Sequence, residues 1–217
     1  MDPFCLCLAL GPVAIYLLLL GAINLSRHPF AVSGTRDTAT LGLAVSGLMI
    51  LGPMELFIPA ATALRFGPYV WILLTLLYAL GLVLLLLVSR PRLVVYNISP
   101  GELRPILADV VARLDAEARW AGDSLLLPSL GVQLHMDSLA ALRNVSLLST
   151  GPRQNHLGWR QLELALRTAL GQFEVQRNLR AVGVVAGVGM VLLVFLLQII
   201  ASDPQAVAQA MFEMIRL

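Results

Sequence analysis

Tyr69 to Val88 reads YVWILLTLLYALGLVLLLLV, a run without a single charged residue, and its reading decides what kind of protein this is. An α-helix rises 1.5 Å per residue, so a run of about 20 apolar residues covers the roughly 30 Å of a bilayer's hydrocarbon. The stretch therefore predicts a membrane-spanning helix. Three further blocks of similar length lie on either side. Phe4–Ile23 and Ala181–Ala201 carry no charge, and Ala39–Leu64 carries only Glu55. The reading is thus an α-helical membrane protein with four transmembrane helices: a three-helix region over 1–89, and a fourth span over 179–201. Residues 90–178 are expected to form an inserted small α+β domain.

Composition agrees with that division. Of 217 residues 58% are apolar and 13% charged, about half the charged share of a soluble domain. All 15 basic residues are Arg, and a net charge of +2 gives no bulk attraction for nucleic acid, so no nucleic-acid partner is expected. The first block follows an acidic start, Met1-Asp2-Pro3-Phe4, rather than the basic one of a cleaved signal peptide, and is expected to be retained as a helix. Cys5 and Cys7 have no nearby His or Cys to make a metal site; they read as apolar filler, with acylation as the alternative.

Arginine placement gives an orientation. Arg27, Arg36, Arg90, Arg92, Arg177 and Arg180 fall on one side of the four spans, and Arg65 and Arg216 on the other. The positive-inside rule puts the larger group in the cytoplasm, with domain 90–178, and leaves both termini outside. The sequons at Asn24 and Asn144 then face the wrong side for glycosylation. A bacterial-type plasma membrane is the expected location, from Arg-only basic usage and the lack of a targeting signal.

Within 90–178 the expected order is β-α-β-β-β-α. Leu93–Ile98 (LVVYNI) is rich in β-branched residues and lies between Pro91 and Pro100, so it reads as a strand. Ser99-Pro-Gly-Glu102 has the form of a capping box, and the apolar positions from Leu103 through Leu114 to Ala118 recur at helical spacing. Asp109 with Arg113, and Asp115 with Arg119, are expected as exposed i,i+4 pairs. Ser124–Pro128 and the alternating Val132–Asp137 form a hairpin across Pro128-Ser-Leu-Gly131, and Asn144–Ser149 is another strand. Helical spacing returns at His156, with Trp159, Leu162, Leu166 and Phe173 on one face. This helix is expected to run straight into the fourth span or to meet it at a break near Gln176–Asn178. Residues 202–217 read as a short amphipathic segment or, alternatively, a frayed tail.

Chemistry is sparsely written. Glu55 stands between the helix breakers Pro53 and Pro59 inside an apolar block, a candidate intramembrane polar site. A charge near mid-bilayer costs on the order of 3 kcal/mol on insertion scales, so such residues face a bundle interior or an aqueous path. It reads as a clip between helices, with Tyr78, Thr75 or another span's backbone as partner, or as an ion or proton site. Gly183 and Gly187, four apart, are a candidate helix-packing motif, within the bundle or at a dimer seam. His28, His135 and His156 are scattered without metal-ligand spacing, and no GxSxG, Walker, HExxH or CxxC motif occurs. No catalytic residue, cofactor or metal is expected. The functional expectation is a non-enzymatic scaffold, assembly or regulatory component acting through its cytoplasmic domain on protein partners or a second copy of itself. The alternative is a transporter or ion-pathway subunit using Glu55.

Overall fold

The computed structural model describes residues 3–57, 69–139, 143–151, 154–175, 179–205 and 207–209. The chain divides into two compact units, one of Met1–Leu19, Thr38–Val88 and Val185–Leu217, the other of Leu20–Asp37 and Ser89–Val184.

Four long helices supply the first unit: α1 (Pro3–Leu25), α2 (Gly34–Phe57), α3 (Tyr69–Val88) and, at the end of the chain, α6 (Leu179–Ser202). Two stretches, Phe4–Leu25 and Val182–Ser202, are long and apolar enough to cross a membrane, and the apolar part of α3, Ile72–Val88, is shorter. That supports a membrane location at the level of two helices rather than four. The last residues of the second apolar block, 58–64, lie outside the described residues. Helix α2 begins earlier than its apolar block, so its first turn carries Arg36 and Asp37. Beyond α6, residues 204–205 and 207–209 are helical, with the Val207 N–H bonded to the Asp203 carbonyl at 3.3 Å.

Glycine governs how these helices touch. A Cβ on Gly47 of α2 would meet the Leu8 carbonyl and lie 2.8 Å from the Ala9 Cα of α1. One on Gly189 of α6 would lie 3.1 Å from Leu17 Cβ and 3.2 Å from the Leu18 backbone nitrogen of α1. Small residues let helix backbones approach this closely where hydrophobic driving force is absent. Between α2 and α3 the Tyr78 hydroxyl donates to the Gly42 carbonyl at 2.6 Å.

The second unit is a lobe built on a six-stranded antiparallel sheet, in the spatial order β1-β2-β6-β5-β4-β3. Its strands are β1 (Phe30–Ser33), β2 (Arg92–Tyr96), β3 (Arg119–Ala121), β4 (Ser124–Leu127), β5 (Val132–Leu139) and β6 (Asn144–Ser149). Helices α4 (Pro100–Leu114) and α5 (His156–Leu170) pack on one face, so the α+β expectation stands with two strands added, β1 and β3. Strand β1 comes from the α1–α2 connection, which the sequence reading treats as a plain loop. It is held by non-local pairing, Phe30 opposite Tyr96 and Ser33 opposite Leu93.

Alternation sets the sheet's two faces. Val132, Leu134 and Met136 are buried while Gln133 and Asp137 are exposed, as their spacing requires. Leu93, Val95, Leu134, Val145 and Leu147 meet Leu103, Leu107 and Val111 of α4 and Trp159, Leu162, Leu166 and Leu170 of α5 in one core. Leu166 is wholly buried there. Truncating it to Ala is expected to cost about 2–5 kcal/mol, the range for a buried leucine, read as an earlier melt of Trp159 fluorescence.

Two expectations inside the lobe are corrected. Helix α4 stops at Leu114 rather than reaching Ala118, because Asp115 leaves the helix with φ −148° and ψ 106°. Asp115 is therefore a buried cap, not the partner of Arg119. Helix α5 ends at Leu170 with Gly171 as its C-cap, so it does not continue into α6; the break anticipated at Gln176–Asn178 lies outside the described residues.

Candidate functional site

One group of polar contacts in the lobe forms where the α1–α2 connection joins the sheet. Asn97 ends β2 with φ +60°, a left-handed conformation that Asn tolerates better than most residues. It is fully buried, and its Nδ2 donates to the Ser26 carbonyl at 2.8 Å, holding the chain just past α1. Across the sheet Arg143 is also left-handed, at φ +49°, and its carbonyl accepts from the Ile98 N–H at 2.7 Å. The Arg143 guanidinium pairs with Glu102 at 2.6 Å, and Glu102 closes the capping box with Ser99. Burial pushes the Glu102 carboxyl up, but hydrogen bonds from Ser99 and the Arg143 charge outweigh it and hold the group below its ordinary range.

The same connection is tied at further points. The Val175 N–H donates to the Arg27 carbonyl at 2.8 Å, and Arg167 Nε donates to the Ala31 carbonyl at 3.1 Å, occupying an acceptor on the free edge of β1. At the start of α2, Asp37 accepts from Arg92 at 3.1 Å and from the Tyr96 hydroxyl. Ser26 to Asp37 is thus an integral part of the lobe, although it lies in sequence between two long helices.

Away from this clasp, α4 and α5 leave a groove of about 690 Å³ whose apolar lining includes Ile106, Val110, Leu114 and Phe173. Asp109 and Arg113 stand in it as an exposed ion pair at 2.7 Å, as their spacing predicts. Asp115, only 3% exposed, accepts from the Ser129 hydroxyl and N–H, each at 2.9 Å, and from the Glu117 N–H at 3.0 Å. It pins the end of α4 to the β4–β5 turn. The signal that could have found it is its place after the last apolar position of α4, with a hydroxyl in the turn to receive it.

Of the residues singled out from sequence, Pro59 lies outside the described residues, and of Glu55 and Pro53 only the helical backbone is described. Tyr78, a proposed partner of Glu55, donates its hydroxyl hydrogen to the Gly42 carbonyl. A Cβ on Gly183 or Gly187 meets nothing within 4 Å, whereas the neighbouring Gly189 packs on α1. His28 lies with Nδ1 at 3.3 Å from the Phe173 carbonyl, and His135 with Nδ1 at 3.1 Å from Ser124 Oγ, a cross-strand pair on the face away from the helices. Among the described residues no group of three His, Cys, Asp or Glu side chains could hold a metal. Comparison with protein-family models, with curated proteins and with solved structures finds no match. What the geometry offers is a folded lobe locked to the chain between α1 and α2.

Proposed function

We propose that the chain is a four-span integral membrane protein whose lobe lies in the cytoplasm and acts as a non-enzymatic scaffold, assembly or regulatory element for other proteins. The observation that carries the span count is the pairing of β1 with β2. Both strands belong to one sheet, so the chain before α2 and the chain after α3 must lie on the same side of any bilayer. Helices α2 and α3 then cross together or not at all. With α1 and α6 crossing, the count is two or four. On α3, Leu73, Leu76, Leu77, Leu80 and Leu87 are each more than 60% exposed, an apolar surface that water would penalise and lipid would cover. That favours four. The cytoplasmic side follows from the arginine distribution, and both termini then lie outside.

Membrane-impermeant maleimide applied to intact cells checks the orientation through the native Cys5 and Cys7: labelling from outside is expected, and labelling only after lysis would reverse it. Co-purification tests the scaffold role. Protein partners recovered with the full chain are expected to be lost when residues 90–178 are excised, and recovery of every partner without them would sink the proposal.

A second reading rests on Glu55, a carboxylate within an otherwise apolar block. A transport path through it predicts that Glu55→Gln abolishes ion or proton flux in reconstituted vesicles while the chain still folds. We expect no such flux in either protein, because a path generally uses more than one intramembrane polar group.

A further inference from the structure

Five of the lobe's arginines are paired with carboxylates, and among the exposed ones outside those pairs two stand directly after apolar helices. Among the described residues, Arg92, Arg104, Arg113, Arg143 and Arg167 each face a carboxylate at 3.5 Å or less. Arg27 and Arg90 do not belong to these pairs, and both are exposed. Arg27 lies just past the end of α1 and Arg90 just past the end of α3. The β1–β2 register sets them at opposite ends of the ladder, Arg27 beyond the Phe30–Tyr96 end and Arg90 beyond the Ser33–Leu93 end.

Asp37 is engaged by Arg92 and Tyr96, and in the stretch 171–175 Glu174 is the only carboxylate. The Val175 N–H bond to the Arg27 carbonyl brings that stretch alongside. Exposed apolar side chains adjoin the charges: Leu25, Phe30 and Phe173 near Arg27, and Leu87 and Val88 just before Arg90. An apolar body beside a cation that is not committed to a protein carboxylate suits the boundary between acyl chains and headgroups.

We infer that Arg27 and Arg90 hold the phosphodiester groups of anionic phospholipids, one site at each end of β1, and so bind the lobe's ladder to the cytoplasmic leaflet. The partner is a lipid headgroup rather than a free phosphate, because both arginines directly follow apolar helices. This inference rests on the membrane reading above.

The test uses the full chain reconstituted in nanodiscs of phosphatidylcholine, alone or mixed with phosphatidylglycerol, with bound lipid counted by native mass spectrometry after release. Preferential retention of phosphatidylglycerol is expected, falling about fivefold for each of Arg27→Gln and Arg90→Gln. Arg119→Gln and Arg160→Gln, at exposed positions elsewhere on the lobe, should leave it unchanged. Equal retention by wild type and the Arg27→Gln/Arg90→Gln double variant would overturn the inference. So would equal protection from thermal unfolding by inorganic phosphate at matched ionic strength, which would assign the site to free phosphate. Alkaline carbonate extraction separates the two layers of argument: release of the chain refutes the membrane reading itself, whereas retention without a lipid preference refutes only the headgroup sites.

Discussion

Replacing Gly47 by Ala is expected to destabilise the helical unit by about 1–3 kcal/mol, the usual cost of forcing an extra carbon into a filled contact. The reason is what the new methyl would meet. Its neighbours are the carbonyl of Leu8 and the Cα of Ala9, backbone atoms of α1 that cannot swing aside as a side chain could. Two controls make the result specific. Gly11 of α1 and Gly81 of α3 would present a Cβ to open space, so the same change there is expected to be neutral or to stabilise by up to about 1 kcal/mol through helix propensity. Midpoints of unfolding in mixed detergent micelles, read by helical circular dichroism, give all three. If Gly47→Ala unfolds with Gly11→Ala and Gly81→Ala, then α1 and α2 do not pack as described. Gly189→Ala should fall between, because its Cβ would meet the Leu17 and Leu18 atoms at 3.1 and 3.2 Å.

The same glycines show where sequence reading ran out. A four-residue spacing marks Gly183 and Gly187 as suited to close approach, but spacing cannot say which glycine a neighbouring helix will reach. Gly189 packs on α1, and among the described glycines the closest approach of one long helix to another is at Gly47, which sits in no such repeat with a second glycine. The lobe was more legible wherever structure is local. The Ser99–Glu102 capping box and the alternation along β5 depend on residues within a few positions of one another and form as read, and the apolar stripe of α5 forms through Trp159, Leu162 and Leu166, while Phe173 lies past the end of the helix and is exposed.

What was missed is non-local. Phe30-Ala-Val-Ser33 is too short to carry an alternation signal, and it becomes a strand only because Leu93–Tyr96, far along the chain, offers a ladder. Arg119-Trp-Ala121 is shorter still, held by pairing with Ser124–Leu126 and by Arg104, which stacks over Trp120 at 5.4 Å. The α1–α2 connection is a strand of the lobe, so the lobe is more than an insertion between α3 and α6.

Asp115 is the side chain whose loss is expected to weaken the lobe most among its carboxylates. Burial pushes its pKa up, and hydrogen bonds from the Ser129 hydroxyl, from the Glu117 N–H and from the Ser129 and Leu130 N–H groups pull it down by more, so the group stays ionised below the ordinary range. The linkage has a definite sign. In the unfolded chain Asp115 takes up its proton near pH 4, but in the folded lobe only at lower pH. Its contribution to stability is present in full above the unfolded value and disappears as pH falls through the folded one. Asp115→Ala removes the acceptor and strands the Ser129 and Glu117 donors beneath the end of α4, which costs more than breaking an exposed pair. Asp109→Ala, which breaks only the exposed contact with Arg113, should hardly move the melt. At neutral pH hydrogen exchange in the β4–β5 turn is expected to quicken sharply in Asp115→Ala, and the gap between that variant and the wild type should narrow as pH drops below about 4. Glu102 loses its own contribution over the same acid range in both proteins, so it shifts both curves and leaves their difference to Asp115. A gap that stayed constant down to pH 2 would mean that the Asp115 charge does not hold the turn.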